Sequence, residues 1–134
     1  MSRLPRAQEH LKTGFTAEAV SAARCRAQAE RADSEGKPNL ARRWRELAEA
    51  KDALAVRMLE AAGQVRHEDR AIADALAEEE FENEVLYPKM MRDVDAATAE
   101  AMSGVVEAQR EHARRLERLR LETQAAPGDI STAA

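Results

Sequence analysis

Residues 107–119 read EAQREHARRLERL, and their spacing decides the fold class. Followed back one turn, Met102, Val105, Gln109, His112, Leu116 and Leu119 recur every three or four positions, the period of an α-helix with one apolar face. Two of these six inward positions are polar, Gln109 and His112. The stripe therefore predicts a core helix and raises the question of what Gln-x-x-His does inside it.

The same periodicity occurs three more times. From about residue 7 to 33 it runs through Leu11, Phe15, Glu18, Ala22, Cys25, Ala29 and Ala32, and it ends at SEGKPN, where Gly36 suits a helix C-terminus and Pro38 a restart. From about 39 to 62 the stripe is Leu40, Trp44, Leu47, Lys51, Leu54 and Met58, with a lysine in its middle. From about 69 to 93, Ile72, Leu76, Glu79, Leu86 and Met90 point inward, with Glu82 and Asn83 at the edges. Pro88 removes a backbone donor and predicts a kink near Glu84 to Pro88. The opening stripe belongs to the fourth segment, about 95 to 122, after which TQAAPGDISTAA reads as a frayed tail.

A chain of 134 residues with 3% aromatics, 5 Gly and 4 Pro suits one domain of long helices and leaves little material for a sheet. The expected architecture is all-α: a four-helix bundle over residues 1–122 and a flexible tail over 123–134. Each helix carries its odd polar residue near its midpoint, and midpoints of antiparallel helices lie at one level. Glu18, Lys51, Glu79, Glu82, Gln109 and His112 are thus expected to converge.

The net charge of -4 comes from 21 basic and 25 acidic residues interspersed along the chain, which does not point to a nucleic-acid partner. No apolar run approaches the ~20 residues of a membrane span, and MSRLPRAQEH lacks the apolar core of a signal peptide, so a cytoplasmic protein without membrane association is expected. Cys25 is the single cysteine, which excludes an intramolecular disulfide and any Cys-x-x-Cys site. Cys25 reads as a small core residue, Trp44 as a core or interface anchor, and His10 and His67 as surface groups.

Three stretches, KTGFTAEA at 12–19, EGKPNLARRWRELAEA at 35–50 and EEEFENEVLYPKM at 78–90, resemble the rubrerythrins of the ferritin-like superfamily, and the resemblance extends over about residues 9 to 120. It implies a ferritin-like bundle with a dimetal site that reduces peroxide or dioxygen using an external electron donor. By this resemblance Glu18 matches the first-helix ligand, Glu79 the third-helix ligand, Glu82 the extra third-helix carboxylate and His112 the fourth-helix imidazole. Tyr87 matches a tyrosine near the metals. The departures are specific. The second-helix Glu-x-x-His stands here as Lys51-x-x-Leu54, and the fourth-helix one as Gln109-x-x-His112, so both bridging carboxylates are replaced; the rubredoxin-like cysteine domain of many members is lacking as well.

Three carboxylates and a lysine cannot neutralise two divalent cations in a low-dielectric core. Two readings follow. One iron, manganese or zinc ion is held among Glu18, Glu79, Glu82, His112 and the Gln109 carbonyl and retains peroxide- or dioxygen-linked oxidoreductase chemistry, with Lys51 and Tyr87 as candidate catalytic residues. Alternatively no metal binds, Lys51 places its ammonium where a cation would sit and pairs with Glu18 and Glu82, and the bundle is a scaffold or binding protein. The middle connection, GQVRHED or so, reaches at most ~28 Å against a bundle of roughly 35 Å. A homodimer that exchanges hairpins resolves the mismatch, as does an up-down-up-down order.

Overall fold

The computed structural model describes residues 5–126 and 128–131. Residues 1–4, 127 and 132–134, which fall at the start of the expected bundle and in the expected tail, lie outside the described residues. Regular structure among the described residues is entirely helical: α1 Pro5–Ser34, α2 Pro38–Ala61, α3 Glu68–Phe81, a π-helical turn Glu82–Leu86, α4 Tyr87–Met91 and α5 Ala96–Ala125. The residues joining α3, the π turn and α4 keep right-handed helical dihedrals, so 68–91 is one continuous segment and the chain has four, as the periodicity predicts. Residues 123–125, expected in the tail, complete α5. The described residues fall into two compact units divided between Val65 and Arg66.

The first unit is the α1/α2 hairpin. Gly36 takes φ +73, and the Lys37 N–H donates to the Ala32 carbonyl at 2.8 Å, the reverse turn that closes a helix C-terminus. Pro38 then starts α2 with its ring pre-set for a first turn. The seam between the helices is built of small side chains: Ala22, Cys25, Ala29 and Ala32 from α1, and Ala41, Ala48 and Ala55 from α2, all buried. The α2 alanines are spaced by sevens, which keeps them on one line as two helices wrap each other. Trp44 packs against Ala29, Ala32 and Ala41.

On α1 the predicted stripe is the observed one. On α2 Trp44, Lys51 and Met58 lie on the shielded side as predicted, while the three leucines of the stripe give way to the next residue. Leu40, Leu47 and Leu54, expected inward, are 45%, 50% and 40% exposed, and the alanine after each makes the seam. Short side chains let the backbones approach, whereas leucines at those positions would hold them apart. The leucines form a second face beside the seam. At the open end of the hairpin Met58 lies over Gly14, where an added Cβ would sit 3.2 Å from the methionine sulfur and terminal methyl.

In the second unit the segment 68–91 packs against α5. Its buried apolar residues are Ile72 and Val106. On α5 Met102, Gln109, Leu116 and Leu119 are partly buried as the stripe predicts, whereas Val105 is 42% exposed, Val106 is buried in its place, and His112 is exposed. The kink expected at Glu84 to Pro88 takes the form of the π turn, closed by the Tyr87 N–H donating to the Glu82 carbonyl five residues earlier. Pro88 has no N–H for Glu84 and its ring crowds that carbonyl; a wider turn removes both conflicts. Asp95 caps α5 by accepting from the Thr98 backbone N–H at 2.7 Å. Beyond α5, Gly128, Asp129 and Ile130 line a cleft with Ile72, Leu119 and Thr123. No described helix is long and apolar enough to cross a membrane.

Candidate functional site

In the first hairpin the structure brings Glu18 and Lys51 together. Glu18 lies one turn before Ala22 on the seam line of α1, and Lys51 lies between Ala48 and Ala55 on α2, so both flank the seam at the same height. The Lys51 Nζ donates to Glu18 Oε2 at 3.5 Å, with side chains 33% and 26% exposed. A half-shielded pair at this distance contributes about 0.2–1 kcal/mol. It leaves two of the three ammonium N–H groups free of protein acceptors among the described residues. Arg26 with Asp52 and Arg45 with Asp33 add ion pairs across the same two helices.

The other four predicted ligands lie in the second hairpin. Gln109 and His112 share a face of α5 one turn past Val106. The Gln109 amide N–H donates to Glu82 Oε1 at 3.2 Å, and His112 Nδ1 lies 3.9 Å from Glu79 Oε1. The Glu79 side chain is 16% exposed and that of His112 is 53% exposed. The π turn matters here, because its extra residue per turn carries both Glu82 and Asn83 toward the face that Glu79 begins. Tyr87 is half-buried and opens α4 directly after that turn.

Three buried oxygens of this face meet no hydrogen-bond donor among the described residues: Glu79 Oε2, Asn83 Oδ1 and Gln109 Oε1. All three are acceptors, and a buried acceptor without a donor costs about 1–3 kcal/mol. Asn83 was read from the sequence as an edge residue and not as part of the site. Its signal is its place four residues after Glu79, on the same helix face.

The donor set does not fit the pair of metals that the resemblance implies. Where that site needs bridging carboxylates, Lys51 and Gln109 bring N–H groups, and each engages a carboxylate that a metal would require. Leu54 offers no lone pair. Among the described residues no three His, Cys, Asp or Glu side chains are grouped to hold a metal ion. What the arrangement does offer is a cationic donor on α2 and a set of acceptor oxygens on the 68–91 and α5 face.

No protein-family model matches the chain, and no curated protein matches it at a significant level.

Proposed function

We propose that this is a divergent rubrerythrin-like protein of ferritin-like architecture whose polar centre works without a metal, a cytoplasmic scaffold or binding protein that assembles as a homodimer. Lys51 supplies the positive charge in a Glu/Lys/His network. The observation that carries this reading is the Lys51 to Glu18 contact at 3.5 Å, in which an ammonium takes a carboxylate that would otherwise face a cation. An ammonium beside a metal would repel it, while an ammonium among carboxylates stays charged and stabilises them.

A second reading is favoured by one observation. The free oxygens of Glu79 and Gln109, next to His112, are the start of a single-metal site. In that case one iron or other divalent ion would bind at Glu79, His112, Gln109 and Glu82 of the second hairpin. Lys51 or Tyr87 would then serve peroxide- or dioxygen-linked chemistry driven by an external electron donor.

Elemental analysis of protein purified without chelator, before and after anaerobic incubation with ferrous iron, separates the two. The metal-independent reading predicts less than about 0.2 metals per chain, with clear uptake only after Lys51→Glu and Gln109→Glu are combined. About one iron per native chain, abolished by His112→Ala, would replace it with the single-metal reading.

A further inference from the structure

We infer that the exposed side of α3 and the π turn, an apolar ridge of Phe81 and Val85 among Glu78, Glu80 and Glu84, docks a basic amphipathic helix of another protein. This rests on the reading of the chain as a binding protein and gives its partner a chemistry. The polar centre around Glu79 and His112 takes no part in it.

The first support is the ridge itself. Phe81 ends α3 and Val85 stands one turn later in the π turn; they are 55% and 51% exposed, with Leu86 beside them at 37%. Phe15, Trp44 and Tyr87, the other aromatic residues of the chain, are half-buried, so Phe81 is the aromatic ring left in water. Single exposed apolar residues are ordinary on any surface, but a ring and a β-branched side chain one turn apart are contiguous, and such rings anchor interfaces. The ridge is separate from the polar face. Glu79 meets His112 of α5, and Phe81, two residues on, is turned about 200° from it around the helix.

The second support is charge. Between Arg70 and Lys89 stand six acidic residues and no basic one, while the rest of the chain carries 21 basic and 19 acidic residues. Asp74 is held by Arg66 and Arg70, Glu79 lies by His112, and Glu82 accepts from Gln109. Glu78, Glu80 and Glu84 are exposed and form no ion pair among the described residues. Arg110 and Arg114, which share a cleft with Glu80 and Glu84, are engaged instead by Glu107 and Glu111 of their own helix. Glu78 lies three residues before Phe81 and Glu84 three after, so the ring has an unpaired carboxylate on either side along the axis. Like charges at this spacing repel one another, and a cationic partner relieves that repulsion.

The combination selects the partner. Anionic surfaces, whether nucleic acid or a lipid headgroup layer, are repelled by unpaired carboxylates. A second copy using the same face would set glutamates against glutamates. The ridge belongs to a continuous helical segment whose backbone groups are bonded within it, so recognition falls to side chains and not to strand addition. What fits is a helix with an apolar stripe to cover Phe81 and Val85, and with Lys or Arg beside that stripe to meet Glu78 and Glu84.

The test is a fluorescence-anisotropy titration with a labelled synthetic peptide of about 18 residues, leucine at every third and fourth position and lysine elsewhere. Wild type should bind it saturably at about 0.15 M salt. Phe81→Ser should weaken binding at least about tenfold, and Glu78→Gln combined with Glu84→Gln at least about fivefold. Val20→Ser, which removes a side chain of similar exposure from α1, should leave the affinity within about twofold of wild type. The same peptide with glutamate in place of lysine should not bind. The inference is overturned by wild type that binds neither peptide, by equal binding of both, or by undiminished binding to Phe81→Ser, which would reduce the contact to charge alone.

Amide NMR spectra of ¹⁵N-labelled wild type locate the contact without any substitution. Shifts on adding the lysine peptide should centre on residues 77–86 and spare α1 and α2; shifts centred elsewhere sink the proposal. Sedimentation without peptide tests the other occupant. Self-association that Phe81→Ser abolishes would assign the ridge to a second copy and replace the inference, whereas unchanged sedimentation upholds it. Metal content of the same samples keeps the two claims apart. Stoichiometric metal refutes the metal-independent reading and leaves the titration standing, while metal-free protein that binds no peptide refutes the docking alone.

Discussion

The two hairpins solve the same problem in opposite ways. The first packs 30-residue and 24-residue helices through a continuous seam of alanines and one cysteine, with polar groups kept to its flanks. The second interrupts a helix with a π turn, buries Ile72 and Val106, and leaves three acceptor oxygens without donors. A seam of small residues is complete when the hairpin forms. A face with unpaired buried oxygens has room for donors that the hairpin's own side chains do not supply, an ordered water among them. The difference sets an internally complete hairpin beside one whose polar face keeps hydrogen-bonding capacity unused among the described residues.

The largest effect that can break this comparison is at the seam. Ala48 is 2% exposed, so Ala48→Leu must push α1 and α2 apart, at a cost of about 1–3 kcal/mol. Urea denaturation should show that loss at every protein concentration. Leu47, the neighbouring residue and half exposed, should behave differently: Leu47→Ala weakens self-association and lowers the unfolding midpoint in a concentration-dependent way. If both variants depended equally on concentration, the alanine seam would not be internal to one hairpin.

Within the second hairpin, Gln109→Ala removes the donor to Glu82 Oε1 and with it one orphaned acceptor. The lost bond outweighs the relieved oxygen, because Glu82 is then the unpaired group, and a net loss of about 1 kcal/mol is expected in urea denaturation. Gln109→Leu should cost the same or more. An unchanged midpoint in both variants would mean that the amide is not holding Glu82.

Most of this was legible in the sequence, and the parts that were not share a cause. The four segments, the Gly36 and Pro38 turn and the Glu18 and Lys51 pair follow from period, cap chemistry and charge. The inward line of α2 did not, because a hydrophobic ranking selects Leu40, Leu47 and Leu54 while close approach of two backbones selects Ala41, Ala48 and Ala55 beside them. Val105 and Val106 pose the same choice on α5, and two adjacent valines give periodicity no means of making it. Pro88 announced a distortion, but whether a helix bends or widens depends on what packs against it. The place of Asn83 in the site followed from that widening. Ile130 beside Ile72 and Leu119 was hidden by its small and polar neighbours in the tail.

The smallest effect tests how the second hairpin closes. The Asp95 carboxyl is held below its ordinary value of 3.8, first by the backbone N–H of Thr98 and then by the Thr98 side chain. A carboxylate with a depressed folded value stabilises the fold above the unfolded value, and the contribution disappears as pH falls through the folded one. Asp95→Ala should therefore lower the unfolding temperature slightly and by a constant amount from about pH 7 to pH 5, and the gap should begin to close only below about pH 4, narrowing further as pH falls through the lowered folded value. Hydrogen exchange supplies the local readout. The Thr98 amide, whose acceptor is the Asp95 side chain, should exchange faster in the variant, while Ala99, which bonds the Asp95 backbone carbonyl at 2.9 Å, should change less. Amides along the alanine seam of α1 and α2 should not respond, since the cap belongs to a different cooperative unit. A gap between wild type and variant that did not narrow at all as pH fell from about 5 to about 2 would assign the effect of the substitution to helix propensity and not to the charged cap.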